Sequence, residues 1–432
     1  MHFRILGRRL WALAMAGAFA SQMALADTKP QTDGKPVALA EALNLTLERN
    51  PTLATFPYRL RAADADRLQA ALRPQPTLTL EAENLAGKAP ADGVNGAELT
   101  LALSQVIELG GKRRERMAVA SLARDDSHLA YEQARLDILG EAVSRYILLA
   151  TLQEQVELAQ RSLALTRQSE SAARQRVRAG AAPQADLTRL TLASQQADIA
   201  LQRAQVERDA ASQQLAALWG EADVVDLVPV TALRPLPELP TLQAINAQLD
   251  QAPDLMRLAN EARLQEAQMR LAKANGRRDV EITLGARHDR LTDDNTLVAG
   301  LSIPLNLRNP NRGNIARAQA QLAESEAQLN ARRIELISAL QALYRNLSLV
   351  REELALIEDS ALPLARQLYR DIEKGYRVGR YSLLDLTSAQ QEQIALEQQA
   401  IELAARFHQH RNEIERLTGL SLSLSGEQEI AQ

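Results

Sequence analysis

The chain of 432 residues carries a formal charge of -4, no cysteine and only 3% aromatic residues. Ala, Leu, Gln, Glu and Arg dominate it, a composition of long helices packed through small side chains. Acids and bases are interspersed, so no basic field exists for nucleic acid, and disulfides, thiolate metal sites and lipid attachment through cysteine are excluded.

At the start of the chain, Arg4, Arg8 and Arg9 precede the apolar run Leu10 to Ala20, and Ala24-Leu25-Ala26 offers small residues around a cleavage point before Asp27. This pattern predicts a secretory signal peptide over residues 1–26. No later stretch approaches the roughly 18 uninterrupted apolar residues of a transmembrane helix, so entry into a membrane requires a barrel.

Two halves of the remaining chain resemble each other. Asn50-Pro51-Thr52-Leu53 and Leu78-Thr79-Leu80 correspond to Ala252-Pro253-Asp254-Leu255 and Val280-Glu281-Ile282 at one constant offset. Gly180, Asp186-Leu187-Thr188 and Leu218-Trp219-Gly220 correspond to Gly379, Asp385-Leu386-Thr387 and Leu417-Thr418-Gly419 at a slightly smaller one. The first repeat covers 27–220, a proline-bearing extended linker 221–241, the second repeat 242–419 and a tail 420–432.

Each half reads helix, strand, strand, very long helix, turn, helix. In the first, a helix over about 52–73 stops at Pro74 and Pro76. Strict alternation then predicts strands at about 77–86 and 97–107, with leucines opposite Thr, Glu and Ser. The second half repeats this at about 279–288 and 296–305. The loops Ala86 to Gly96 and Arg290 to Asn295 are polar and hairpin-like, and each strand is long enough to cross a bilayer when tilted. Such strands also suit a small soluble sheet on helices, and the Trp and Tyr girdles usual at membrane interfaces are missing.

The segment 112–179 contains no proline and one glycine, Gly140, and extends for about 100 Å as a single helix. Its counterpart spans 314–374 with Pro363 as the only interior breaker, and return helices cover 184–218 and 382–417. Leu136, Leu139, Val143, Tyr146 and Ala150 keep the steps of three and four that make a coiled-coil seam. Four strands cannot close a barrel, whereas three copies supply 12 and ring the helices into a tube.

Gln105-Val106-Ile107-Glu108-Leu109-Gly110-Gly111-Lys112-Arg113 at the strand-to-helix junction, and the turns Gly180 to Leu187 and Tyr376 to Leu386, resemble the TolC family of outer-membrane factors across essentially the whole mature chain. The Leu-Gly-Gly-Lys-Arg junction is similar to the CzcC-like branch, which serves heavy-metal efflux. The resemblance implies a mainly α fold with a transmembrane β-barrel: a homotrimer with a 12-stranded barrel in outer-membrane lipid and an α-helical tunnel. It further implies a periplasmic adaptor and an inner-membrane efflux transporter as partners, with multidrug efflux or type I secretion as the alternative service. By motif position Asp385 matches a carboxylate that narrows the tunnel mouth, and Ser388 stands where a second is common. Asp186 and Tyr376 match positions whose mutual hydrogen bond holds the mouth shut. Gly180, Ala181, Gly379, Arg380 and Tyr381 form the turns that meet the adaptor, with Tyr381 replacing a frequent arginine.

The bland reading of Asp186 and Asp385 is helix capping. His128, His288, His408 and His410 show no metal-ligand spacing and read as surface residues. No nucleophile elbow, phosphate loop or paired catalytic constellation appears, so no enzymatic activity and no cofactor is expected. A periplasmic adaptor and a soluble structural coiled coil are the rival classes; the tandem repeat speaks against the first and the matched strands against the second.

Overall fold

The computed structural model describes residues 34–86, 93–223, 226–305 and 311–419. The expected signal peptide, the tail 420–432 and the middle of the first hairpin loop lie outside them. In chain order the elements are β1 Lys35–Val37, α1 Leu39–Arg49, α2 Phe56–Ala70, β2 Thr77–Glu83, β3 Glu98–Ile107, α3 Lys112–Arg178 and α4 Gln184–Ala216. There follow β4 Leu227–Pro229, α5 Leu242–Ala247, α6 Pro253–Asn275, β5 Val280–Asp289, β6 Asp294–Ser302, α7 Arg312–Leu356, α8 Leu362–Arg377 and α9 Leu383–Thr418.

Strands β2, β3, β5 and β6 form one antiparallel sheet in that order. The registers Leu78 to Leu103, Leu103 to Leu284 and Leu284 to Ala299 put every strand leucine on one face. Side chains alternate across a strand, so the partners fall opposite: Thr79, Glu81, Thr100, Ser104, Thr283 and Arg287 share the other face. There Arg287 donates to Glu98 at 2.8 Å, Glu83 at 3.1 Å and Thr100 at 3.0 Å. Among the described residues the outer edges of β2 and β6 are unpaired.

The junction from β3 into α3 turns on Gly110 and Gly111, both at φ +75°. Two successive left-handed residues cost a side-chain-bearing pair heavily, which accounts for the double glycine. From there α3 runs unbroken for 67 residues. The second long helix is different. Expected as one helix over 314–374, it is α7 and α8 joined by a π turn at Ile357–Ala361. Pro363 offers no N–H to the ladder and its ring crowds the preceding turn, so one wide turn absorbs the misfit and the helical path continues.

Two further expectations change. The helix placed at 52–73 is a 3₁₀ turn at Leu53–Thr55 followed by α2. The linker is not merely extended: its β4 pairs in parallel with β1. Tyr146 of α3 clamps both, donating to the Val37 carbonyl at 3.0 Å and accepting from the Thr231 amide at 3.1 Å. Farther along, Arg234 reaches Glu154 at 2.6 Å and Glu358 at 3.0 Å, pinning the linker to α3 and to the π turn.

Among the described residues the core is a chain of three clusters. One, around Tyr146, Leu149, Leu215 and Trp219, belongs to the first half; a second, around Leu340, Leu347, Phe407 and Ile414, joins both halves. The third, Ala173, Leu190, Tyr369, Tyr376, Leu383, Leu386 and Ala389, closes the end of the four helices away from the sheet. Alanine at Ala173 and Ala389 lets these helices approach closely. Leu190 and Leu386 are almost wholly buried, and truncating either to alanine costs about 2–5 kcal/mol.

Candidate functional site at the paired helical turns

Both long hairpins reverse in the same way. At the end of α3 the Gly180 amide bonds to the Val177 carbonyl at 3.0 Å and the Ala181 amide to the Arg176 carbonyl at 2.8 Å. At the end of α8, Gly379 bonds to Tyr376 at 3.0 Å and Arg380 to Gly375 at 2.8 Å. These are six-to-one helix closures, which require a left-handed residue; Gly180 at φ +71° and Gly379 at φ +81° supply it.

Arg176 joins the two turns. Its Nη1 donates to the Tyr376 carbonyl at 2.8 Å and its Nη2 to the Ala181 carbonyl at 3.2 Å. Its guanidinium also lies over the Tyr376 ring, 4.5 Å from the centroid. One side chain therefore ties a carbonyl in the last turn of α8 to one in the first reversal, in favourable register with the negative end of both helix dipoles. Sequence reading passed over it; its signal was a basic residue four positions before the turn glycine.

Tyr376 is buried beneath this guanidinium, and among the described residues its hydroxyl has no hydrogen-bond partner. The bond to Asp186 implied by resemblance is thus not formed within the chain. Burial pushes the phenol above its ordinary pKa, Arg176 opposes that, and Asp186 adds to it through space.

Asp186 and Asp385 do different work. Asp385 forms a capping box with Ser382: its carboxylate accepts from the Ser382 amide at 2.9 Å and hydroxyl at 2.7 Å, while its own amide donates to the Ser382 hydroxyl at 3.2 Å. These bonds hold its carboxyl below the usual range. Asp186 makes no such cap: α4 starts at Gln184, and its N-cap residue Pro183 has no side-chain cap bond. Ser388, one turn beyond Asp385, is exposed, as are Ala181, Arg380 and Tyr381.

Tyr381 folds back against Gly375, where any Cβ would meet its ring at 2.3 Å. That explains a glycine inside a helix, a position sequence reading did not single out. Between the turns lies an open cavity of about 550 Å³, bordered by Gln168, Ala172, Arg176 and Val378.

The histidines need one correction. His408 is not a free surface residue: its Nε2 lies 2.8 Å from the Leu233 carbonyl, and burial lowers its pKa. It docks the linker onto α9. Among the described residues no group of three or more His, Asp or Glu side chains is placed to hold a metal.

The sequence profile of outer membrane efflux proteins matches residues 42–221 and again 244–420. The chain belongs to the outer membrane efflux protein family. As an outer membrane efflux protein it is an efflux channel component of the outer membrane, in a family of channel proteins that work with an adaptor and an inner-membrane pump. It is 26% identical over 390 residues to the cobalt-zinc-cadmium resistance protein CzcC of Cupriavidus metallidurans, covering 90% of this chain and 92% of that one. It is 26% identical to the nickel-cobalt-cadmium resistance protein NccC of Alcaligenes xylosoxydans xylosoxydans, over 68% and 66% of the two chains. Its fold is that of the outer membrane protein VceC of Vibrio cholerae, with a TM-score of 0.75, 20% identity and coverage of 88% and 96%.

Proposed function

We propose that three copies of this chain close a 12-stranded barrel and an α-helical tunnel that carries heavy-metal cations out of the cell. The observation that carries the reading is the four-stranded sheet with one apolar face and two unpaired edges. In lipid, open edges leave backbone groups unsatisfied at several kcal/mol each, so β6 of one copy must meet β2 of the next. Their directions suit it, because four antiparallel strands leave β6 running opposite to β2.

The helices supply a second argument. On α4 the apolar residues Leu192, Ile199 and Val206 recur every seven positions and are 55%, 58% and 67% exposed. On α7 Leu349 and Leu356 do the same. A heptad stripe left in water on both outer helices is the seam of a neighbouring copy.

The cargo comes from the resistance proteins CzcC and NccC, whose names state metal cations. In this reading Asp385 and Ser388 line the narrowest part of the mouth, Asp186, Arg176 and Tyr376 hold it closed, and Gly180, Ala181, Gly379, Arg380 and Tyr381 present the turns to the periplasmic adaptor. The test has two parts. Light scattering with detergent mass subtracted should give three chains per particle; a monomer sinks the architecture. A strain lacking this gene should become sensitive to cobalt, zinc or cadmium and recover with the parent but not with Gly180→Val/Gly379→Val, which should still insert. Unchanged metal tolerance in the deletion strain removes the cargo assignment.

A further inference from the structure

We propose that Arg73, Arg277 and Arg312 form a collar at the helix side of the sheet that holds the phosphate of anionic glycerophospholipids, fixing the depth at which the chain sits in its membrane. The proposal rests on the barrel reading and names the lipid chemistry that reading leaves open.

Four chain segments cross between helix and sheet at one level, and they are sewn together. Arg113 donates to the Ala71 carbonyl at 2.6 Å, Arg116 to that of Leu72 at 3.1 Å and Gln105 to that of Pro74 at 2.9 Å. Asp279 accepts from the Leu109 amide at 3.0 Å and from Lys112 at 2.7 Å. Asn311 donates to the Ala272 carbonyl. Arg277 lies across Gly110, where an added Cβ would come within 2.5 Å of its Cγ.

The charges at this level do not cancel. Of the nearby acids, Asp279 is engaged by Lys112, Glu108 by Arg116 and Glu115 by Arg114 and Arg270, while Glu281, in no ion pair among the described residues, lies on the opposite, polar face of the sheet with Thr283 and Arg287. Arg73, Arg277 and Arg312 are exposed and belong to no ion pair among the described residues. Beside them Leu72, Ile107, Leu109, Ile303 and Leu305 are exposed and continue the apolar face of the sheet. An apolar band bordered by unpaired guanidinium groups matches a lipid with its chains in the band and its phosphate at the border.

The loop end of the sheet has the opposite character. Glu83, Glu98, Asp289, Asp293 and Asp294 gather there, and Arg287 is consumed by two of them. No strand carries Trp or Tyr to mark the interfaces. Three such arginines at the helix side, against Arg290 alone among carboxylates at the loop end, fix both depth and direction, the task aromatic girdles serve elsewhere.

The full chain is purified in detergent, mixed with equal phosphatidylglycerol and phosphatidylcholine, and read by native mass spectrometry for lipid retained. The parent should prefer phosphatidylglycerol by about fivefold or more. Arg73→Gln/Arg277→Gln/Arg312→Gln should lose the preference, the matching triple lysine variant should keep most of it, and Arg290→Gln at the loop end should change nothing. Inorganic phosphate added to the parent should not displace the lipid; displacement would mean a site for phosphate alone and overturn the lipid assignment. A glutamine triple variant that is trimeric and keeps the parent's preference sinks the collar and leaves the barrel standing. A monomeric parent that still shows the arginine-dependent preference sinks the barrel and leaves the collar.

Discussion

The Arg176 guanidinium lies 4.5 Å from the centre of the Tyr376 ring and donates to the carbonyl of the same residue at 2.8 Å. The two residues come from different halves of the chain, so one contact couples both hairpin turns. Charged hydrogen bonds and cation–π contacts are each worth about 1–2 kcal/mol at half-exposed sites. Arg176→Gln should therefore speed hydrogen exchange at the Ala181 and Arg380 amides roughly tenfold. Arg174→Gln, whose partner Glu170 is on the same helix, should not. In planar bilayers Arg176→Gln should also raise conductance; equal protection of both amides in the two variants removes Arg176 from the coupling.

Tyr376 contributes its ring rather than its hydroxyl. Because that hydroxyl is buried and unpartnered, Tyr376→Phe should be neutral or slightly stabilising, within about 0.5 kcal/mol. Tyr376→Ala should cost about 3–5 kcal/mol through the cavity it leaves. Chemical denaturation measures both. If Tyr376→Phe raises channel conductance as far as Asp186→Asn does, assembly creates the Asp186 bond that the single chain lacks, and the cation-over-ring account of the closed turn fails.

Two substitutions separate the helix cap that Asp385 forms from the mouth charge proposed for it. Ser382→Ala breaks the capping box and keeps the charge; Asp385→Asn removes the charge. Reversal potential in a salt gradient should move toward zero for Asp385→Asn and stay at the parent value for Ser382→Ala. The Ser382 bonds depress the Asp385 pKa, so its charge and its share of stability are present above the ordinary carboxylate value and lost only below it. Cation preference should therefore be flat from about pH 5 to 8. The converse pattern, with Ser382→Ala altering selectivity and Asp385→Asn not, leaves Asp385 as a cap only.

Glu415 gives the opposite pH dependence. Burial raises its pKa from 4.5 to about 7 against the pull of Arg411, which bonds to it at 3.1 Å. The protonated form is favoured in the folded chain, so its contribution is full below pH 4.5 and is lost as pH rises through about 7. Glu415→Gln should gain stability over the parent across that window, levelling at about 2 kcal/mol after solvent screening. Melting curves at pH 4.5, 6 and 8 test it; a difference that does not grow with pH refutes the shift.

Much of this protein was legible before any coordinates. Alternation of leucine with Thr and Glu marked all four strands, because a half-apolar strand has a period of two whatever surrounds it. Absence of proline over 112–179 marked the long helix, and turn glycines marked the reversals, because a left-handed residue has few alternatives. These are local signals, carried by backbone sterics and by each segment's own pattern of burial. What tertiary structure decided is where segments far apart in sequence meet. The segment 314–374 read as one helix despite Pro363, and the structure accommodates that proline in a π turn that joins α7 to α8. His408 read as a surface histidine until the linker carbonyl of Leu233 came to lie beside it. Arg176, which no turn motif marked, lies over the buried Tyr376 ring, because which group reaches a buried ring depends on packing to within an ångström, and that is a property of the four-helix end as a whole rather than of any one turn.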